Sequence, residues 1–264
     1  MFGWFKKNRG TSASAQPQPA GGPVNRPGPP APFRRLRGRQ SIVAVYVRRP
    51  DHRDFIGNEK EKAHRNLLQA QQWLEVQAEA WGIPLAFSPP TLLGLTRTVV
   101  ADLPKSNDDF YRIPNIWPGV LNNLHYGSPG LLYDEVRCKH GSDHVVAIMF
   151  SSGTGRSFAM PREHMPLQPV MVYRTLPGCP PSNASTVAHE LLHLYGAVDL
   201  YQDDTYQQAA RLAGRLYSDS EIMISVEREL AHATLGPFTS FLLGWHSTRG
   251  PEDPWPDLFL RLRR

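Results

Sequence analysis

Two apolar periodicities alternate along this chain. Ser41-Ile42-Val43-Ala44-Val45-Tyr46-Val47 is a short β-branched and aromatic run, which predicts a strand. Further on, Leu67, Ala70, Leu74, Ala78 and Trp81 recur at steps of three and four, the spacing of one helix face. Asn58-Glu59-Lys60-Glu61 ahead of them has the N-x-x-E form of a capping box, and Gly82 and Pro84 close the helix. Residues 83–87 and 96–103 predict two more strands. Residues 104–142 are rich in Pro, Asn, Gly and Asp and read as long loops. Asp143-His144-Val145-Val146-Ala147-Ile148-Met149-Phe150 and Pro169-Val170-Met171-Val172-Tyr173-Arg174 predict strands, and the chain from residue 183 reads mostly helical. This order predicts a single α+β domain.

Composition narrows the function classes. The chain has 264 residues, 41% of them hydrophobic, enough for a proper core. No stretch approaches the ~18 consecutive apolar residues of a membrane span, which excludes an integral helical membrane protein. Two cysteines exclude a disulfide-rich scaffold. Cys138 and Cys179 read as free thiols of a reducing compartment, with their pairing left open and Cys179 expected to be buried. The net charge of +5 suggests nucleic acid until its distribution is considered. Residues 1–40 hold eight basic residues and no acidic one, which leaves 21 basic against 24 acidic residues in the rest, a net of −3. The chain therefore divides into a basic, Pro/Gly-rich disordered tail over residues 1–39 and a folded body over 40–264, with no specific nucleic-acid partner. Such a tail can make weak contacts with acidic lipids or an acidic partner. Met1-Phe2-Gly3-Trp4-Phe5-Lys6-Lys7 is too short for a secretory signal, so a cytoplasmic protein is expected, with signal-less export left open.

The segment richest in chemistry is His189-Glu190-Leu191-Leu192-His193-Leu194-Tyr195-Gly196-Ala197-Val198-Asp199. It contains H-E-x-x-H in an apolar setting that predicts a helix, with Ser182 or Asn183 as its cap. Positions i and i+4 lie one above the other on a helix, so His189 and His193 can reach one metal ion. Glu190 follows the first ligand directly and can act as general base and then general acid toward a metal-activated water. Catalytic zinc usually has three protein ligands. Gly196 can adopt positive φ, end the helix and turn the chain back, so that Asp199 becomes the third ligand.

H-E-x-x-H-x-x-G-x-x-D resembles the zinc signature of the metzincin metalloendopeptidases, in its Asp-ligand variant as in snapalysin-type bacterial proteases. Most metzincins have His where this chain has Asp199. Ser220-Glu221-Ile222-Met223-Ile224-Ser225 resembles their methionine turn, with Met223 as its methionine. Many carry a tyrosine two residues after it. Here Ser225 stands there, and Tyr195, Tyr201, Tyr206 and Tyr217 are substitutes with no basis for choosing among them. The resemblance implies a zincin fold: a mixed twisted sheet with a long N-terminal helix, an active-site helix and a C-terminal helix over 237–245. It implies one catalytic Zn2+, a peptide or protein substrate, and an edge strand beside the metal that pairs with the substrate backbone. By position that strand is 143–150 or the stretch 155–160.

Other readings stay open. A gluzincin-type peptidase would take Glu227 or Glu229 as third ligand, although residues 221–233 read more simply as a solvated helical face. A zinc-stabilised module with this fold can bind a peptide without cutting it, and the tail can instead be the functional part. Asp203 and Asp204 can orient a ligand. Cys138, His140 and His144 can hold a second metal. His52, His64, His125, His164, His232 and His246 have no partner at ligand spacing.

Overall fold

The computed structural model describes residues 35–103, 116–161, 165–175, 178–200, 220–224 and 229–245. The tail up to residue 34 lies outside them, as do Asp203, Asp204, Tyr201, Tyr206, Tyr217, Ser225, Glu227, His164 and His246.

Strand β1 (Gly38–Arg48) and strand β5 (His144–Thr154) run side by side in parallel at the centre of a seven-stranded sheet. The first expected strand is thus longer at both ends than its apolar run. Strand β7 (Pro169–Thr175) adds parallel to β5, and strand β6 (Phe158–Ala159) closes that side antiparallel to β7. On the other side, β2 (Leu85–Phe87), β3 (Thr91–Leu93) and β4 (Val99–Val100) pair in parallel with successive stretches of β1, as one interrupted strand. The run predicted over 96–103 pairs only at Val99–Val100, and β3 had no sequence counterpart.

Both faces of this sheet are covered, which is why its central strands are continuous apolar runs. One face presents Ile42, Ala44, Tyr46, Val146 and Ile148 to helix α1 (Glu59–Ala80), helix α4 (Ala184–His193) and helix α5 (Pro237–Leu242). The other presents Val43, Val45, Val145, Ala147 and Met149 to helices α2 (Trp117–Leu124) and α3 (Pro129–His140). The result is a mixed α/β domain, in agreement with the α+β class at that level. Among the described residues no helix is long and apolar enough to cross a membrane.

Helices α2 and α3 correct the expectation of long loops over 104–142. Their Pro, Gly and Ser are punctuation of short helices. Pro118 and Pro129 occupy first turns, where a missing N–H costs nothing. The Ser128 side chain accepts from Leu131 N at 3.2 Å, and Gly141 ends α3 at φ 59°. The capping box at 58–61 does not form. Asn58 has ψ 22°, outside the extended region that aims a cap side chain at the helix, and it makes no cap bond. Glu59 instead fixes the chain just ahead of the helix: its carboxylate accepts from Ile56 N at 3.0 Å and pairs with Arg53. The predicted apolar face of α1 is buried at Leu67, Ala70, Leu74 and Ala78.

Where residues 221–233 are described they form a turn at 221–224, with Glu221, Ile222 and Met223 buried, and a short 3-10 segment (Leu230–His232), in place of the expected solvated helical face. Cys138 and Cys179 are free, and both are exposed, against the expected burial of Cys179. Leu36 is already fully buried, and its carbonyl accepts from Trp245 Nε1 at 2.6 Å across 209 residues.

The turn between β5 and β6 is pinned by close contact. Gly155 N donates to Thr175 O at 2.9 Å, and a Cβ on Gly155 would lie 2.9 Å from the Tyr173 ring. Gly155→Ala must displace that buried ring and is expected to destabilise the domain by about 1–3 kcal/mol, read from the urea midpoint.

Candidate metal centre

Helix α4 begins where the sequence predicts. Asn183 is its cap: the side chain accepts from Thr186 N at 3.1 Å, and the Thr186 hydroxyl returns toward Asn183 N, completing a capping box. Val187, Ala188, Leu191 and Leu192 fasten the helix to the sheet and α1. Gly196 then takes φ 100°, a value that strains any residue with a side chain. The chain reverses there, and Ala197 N bonds back to Leu192 O at 3.2 Å.

That reversal brings three predicted residues together. Asp199 Oδ1 lies 3.0 Å from His189 Nε2 and 3.2 Å from His193 Nε2, and the two Nε2 atoms are 3.1 Å apart. Zinc–nitrogen and zinc–oxygen bonds of ~2.0–2.1 Å in a tetrahedron place their ligand atoms about 3.3 Å apart. The triangle fits that ion. Among the described residues this is the only group of three His, Cys or carboxylate side chains able to hold a metal. Cys138, His140 and His144 form no such group. Glu229 is exposed and stands outside it.

The outer contacts decide what the triangle presents. His189 Nδ1 meets the Ile222 carbonyl at 3.0 Å, and His193 Nδ1 meets the Ala197 carbonyl at 2.9 Å. A carbonyl oxygen only accepts, so each neutral ring carries its proton on Nδ1 and turns a bare lone pair inward from Nε2. Asp199 Oδ1 is buried and receives no aligned hydrogen bond. With both rings neutral, three electron-rich atoms converge within 3.2 Å, an arrangement that a proton or a bound cation relieves.

The electrostatics respond to the same convergence. Burial alone would raise the Asp199 carboxyl, but the two imidazoles hold it well below the usual carboxylate range. Burial would lower His193, yet Asp199 and Glu190 outweigh it and push the imidazole up. Burial pushes Glu190 up, against the charges of His189, His193 and the exposed Arg156. His189 is 2% exposed, whereas His193 and Asp199 are 18% and 20% exposed. The cluster is thus sealed behind His189 and accessible on its other flank.

The segment 220–224 lies behind His189. Met223 is fully buried in the same core, and its carbonyl accepts from Leu200 N at 3.0 Å, one residue past Asp199. The segment expected as a methionine turn thus touches the His189 ring and the chain beside Asp199. Among the described residues β5 is central in the sheet and cannot be an edge, whereas β6, within the stretch 155–160, ends the sheet on the side of α4. Tyr195 is fully buried and donates to Gln40 Oε1 at 3.1 Å, so it is committed to the core and not to a substrate.

Sequence reasoning missed the Ile222 and Ala197 carbonyls, because main-chain atoms leave no residue signature. It also passed over Glu221 by assigning it to a solvated face. Glu221 is 1% exposed and accepts from Gly236 N and from the Thr239 hydroxyl at 3.0 Å. Burial pushes its carboxyl up to about 7, only partly offset by the Thr239, Gly236 and Met223 bonds.

The sequence matches no family model and no curated protein.

Two outcomes follow from this geometry. Tyr195→Phe leaves Gln40 Oε1 without its donor and should cost about 1–2 kcal/mol in urea denaturation while zinc affinity stays at the parent value. The second is a pH dependence. Between pH 4.5 and about 7 native Glu221 retains a proton that the unfolded chain has released. Its contribution to stability is complete below pH 4.5 and is lost as pH rises through 7. Glu221→Gln has no such titration, so in chelator the variant should gain on the parent across that window by up to about 3 kcal/mol. Parallel stability curves for the two proteins would contradict the assignment.

Proposed function

We propose that this chain is a zinc-dependent metalloendopeptidase with a metzincin-like catalytic domain. The observation that carries the reading is the convergence of His189, His193 and Asp199 on one point, with one accessible flank and Glu190 next to the first ligand. A site with three protein ligands and an open side is the arrangement of catalytic rather than structural zinc. The sheet order supports it as well: the long helix α1 and the metal helix α4 lie on one face, and the single antiparallel strand lies at the edge.

In this reading His189, His193 and Asp199 hold the ion, each imidazole steadied by its carbonyl. Zinc in such a site lowers the pKa of a bound water and polarises a carbonyl group. Glu190, 7% exposed, takes a proton at its carboxylate and returns it to the leaving amine. Burial favours the neutral carboxyl, which suits the donating half of that cycle. β6 ends the described sheet on this side, and in this reading an extended peptide binds along it as a further strand beside α4.

The test is cleavage of a diverse peptide mixture by the full chain, with zinc content measured, beside Glu190→Gln. The variant should keep one zinc per chain and lose about 10²–10⁴-fold or more in cleavage rate. Equal cleavage by both proteins would overturn the mechanism. Stoichiometric zinc with no cleavage by either would instead favour a module that binds peptide without cutting it.

A further inference from the structure

A buried carboxylate is an expensive component for a domain core. Glu221 is 1% exposed and faces neutral donors, the Gly236 and Met223 N–H groups and the Thr239 hydroxyl, rather than a cation. An apolar side chain of similar size would fill the space without the desolvation cost. Stability alone therefore does not account for a glutamate here.

Its connections suggest what does. The backbone of Glu221 is bridged to Thr234, with Thr234 N bonded to Ser220 O at 2.8 Å and Ile222 N to Thr234 O at 3.0 Å. Its own carbonyl accepts from Ile224 N at 3.0 Å. The side chain crosses to the first turn of α5 through Gly236 and Thr239. Glu221 thus fixes residues 220–224 from both main chain and side chain. Two carbonyls leave that short segment toward the metal centre. Ile222 O holds the His189 ring, and Met223 O holds Leu200 N beside Asp199. The remaining ligand, His193, is held locally by Ala197 and does not use this segment.

We propose that Glu221 is a positioning residue of the metal centre, acting through the Ile222 and Met223 carbonyls to set two of the three ligands from outside the ligand shell. The inference rests on the reading of His189, His193 and Asp199 as metal ligands. The carboxylate supplies two acceptors at a fixed separation. An apolar residue supplies none, so the segment is released and the His189 ring and the Asp199 loop lose their common support. Glutamine keeps an acceptor for the Gly236 N–H and a polar group for Thr239, and therefore retains most of the alignment.

The experiment measures zinc affinity of the full chain by chelator competition, and the visible absorption of the cobalt-substituted protein as a report on ligand geometry. Glu221→Leu should bind zinc about 10–100-fold more weakly with an altered cobalt spectrum. Glu221→Gln should stay within about threefold of the parent, since losses larger than that belong to removal of an outer-shell partner. Val136→Ala, in the core on the opposite face of the sheet, is the control for destabilisation alone and should leave both readouts unchanged. If the leucine variant does not fold, Thr239→Val, which removes the side-chain hydroxyl that donates to Glu221, should give a smaller loss in the same direction. Parent-like affinity and spectrum in folded Glu221→Leu, or in Thr239→Val where only that variant folds, would overturn the proposal. An equal loss in Val136→Ala would do so too. A parent that binds no zinc would overturn the metal assignment itself, and this inference with it.

Discussion

The convergence of two imidazole nitrogens and one carboxylate oxygen on a single point is the constraint around which this part of the molecule is arranged. Nε2 of His189, Nε2 of His193 and Oδ1 of Asp199 stand 3.0–3.2 Å apart, so a proton or a cation is needed to balance their electron density. Side-chain rotation would separate them at little cost if the rings were free. They are not, because each Nδ1 is committed to a main-chain carbonyl. The energy needed to hold the triangle comes from elsewhere in the fold: the cap at Asn183, the apolar face of α4 against the sheet, the positive φ of Gly196 and the segment at 220–224.

The layering of the sheet explains how so short a helix can bear that load. Helix α4 has ten residues, near the length at which an isolated helix is marginal. Eight of them are buried between the sheet, α1 and the elements that follow, so tertiary contact stabilises it. The ligand rings project from its C-terminal end, where the chain turns back and solvent reaches His193 and Asp199. The candidate metal centre therefore sits at the boundary between a buried interior and an accessible flank, a placement that keeps its side chains aligned and reachable from solvent.

The parts of this arrangement legible in the sequence are those encoded by local chemistry. The apolar run of β1, the three-and-four spacing of α1, the i and i+4 histidines and the glycine that lets Asp199 return all act over short distances along the chain. What the sequence concealed is long-range or carried by the main chain. Pro118, Ser128, Pro129 and Gly141 have the same composition in a loop as at the ends of α2 and α3, and only packing against Val145 and Ala147 decides between them. β6 has two residues and owes its existence to β7. Glu221 and Glu229 look alike as letters eight positions apart, yet one is buried on a threonine and a backbone amide while the other is exposed. The carbonyls that orient the histidines carry no signature in any alphabet of side chains.

The clasp between Trp245 Nε1 and the Leu36 carbonyl bears on how the chain is threaded. It brings the beginning and the close of the described fold to one point, with the indole and the leucine both sunk in the same core. The described fold is thereby closed on itself at this contact. Circular permutants should consequently be accessible: a short linker across this junction would span little distance, and new termini could be opened at an exposed turn such as Gly82, without unthreading the sheet or disturbing the metal helix. Polypeptide fused ahead of Leu36 or behind Trp245 would leave the body from a shared root, so that two such extensions would be neighbours in space whatever their separation in sequence.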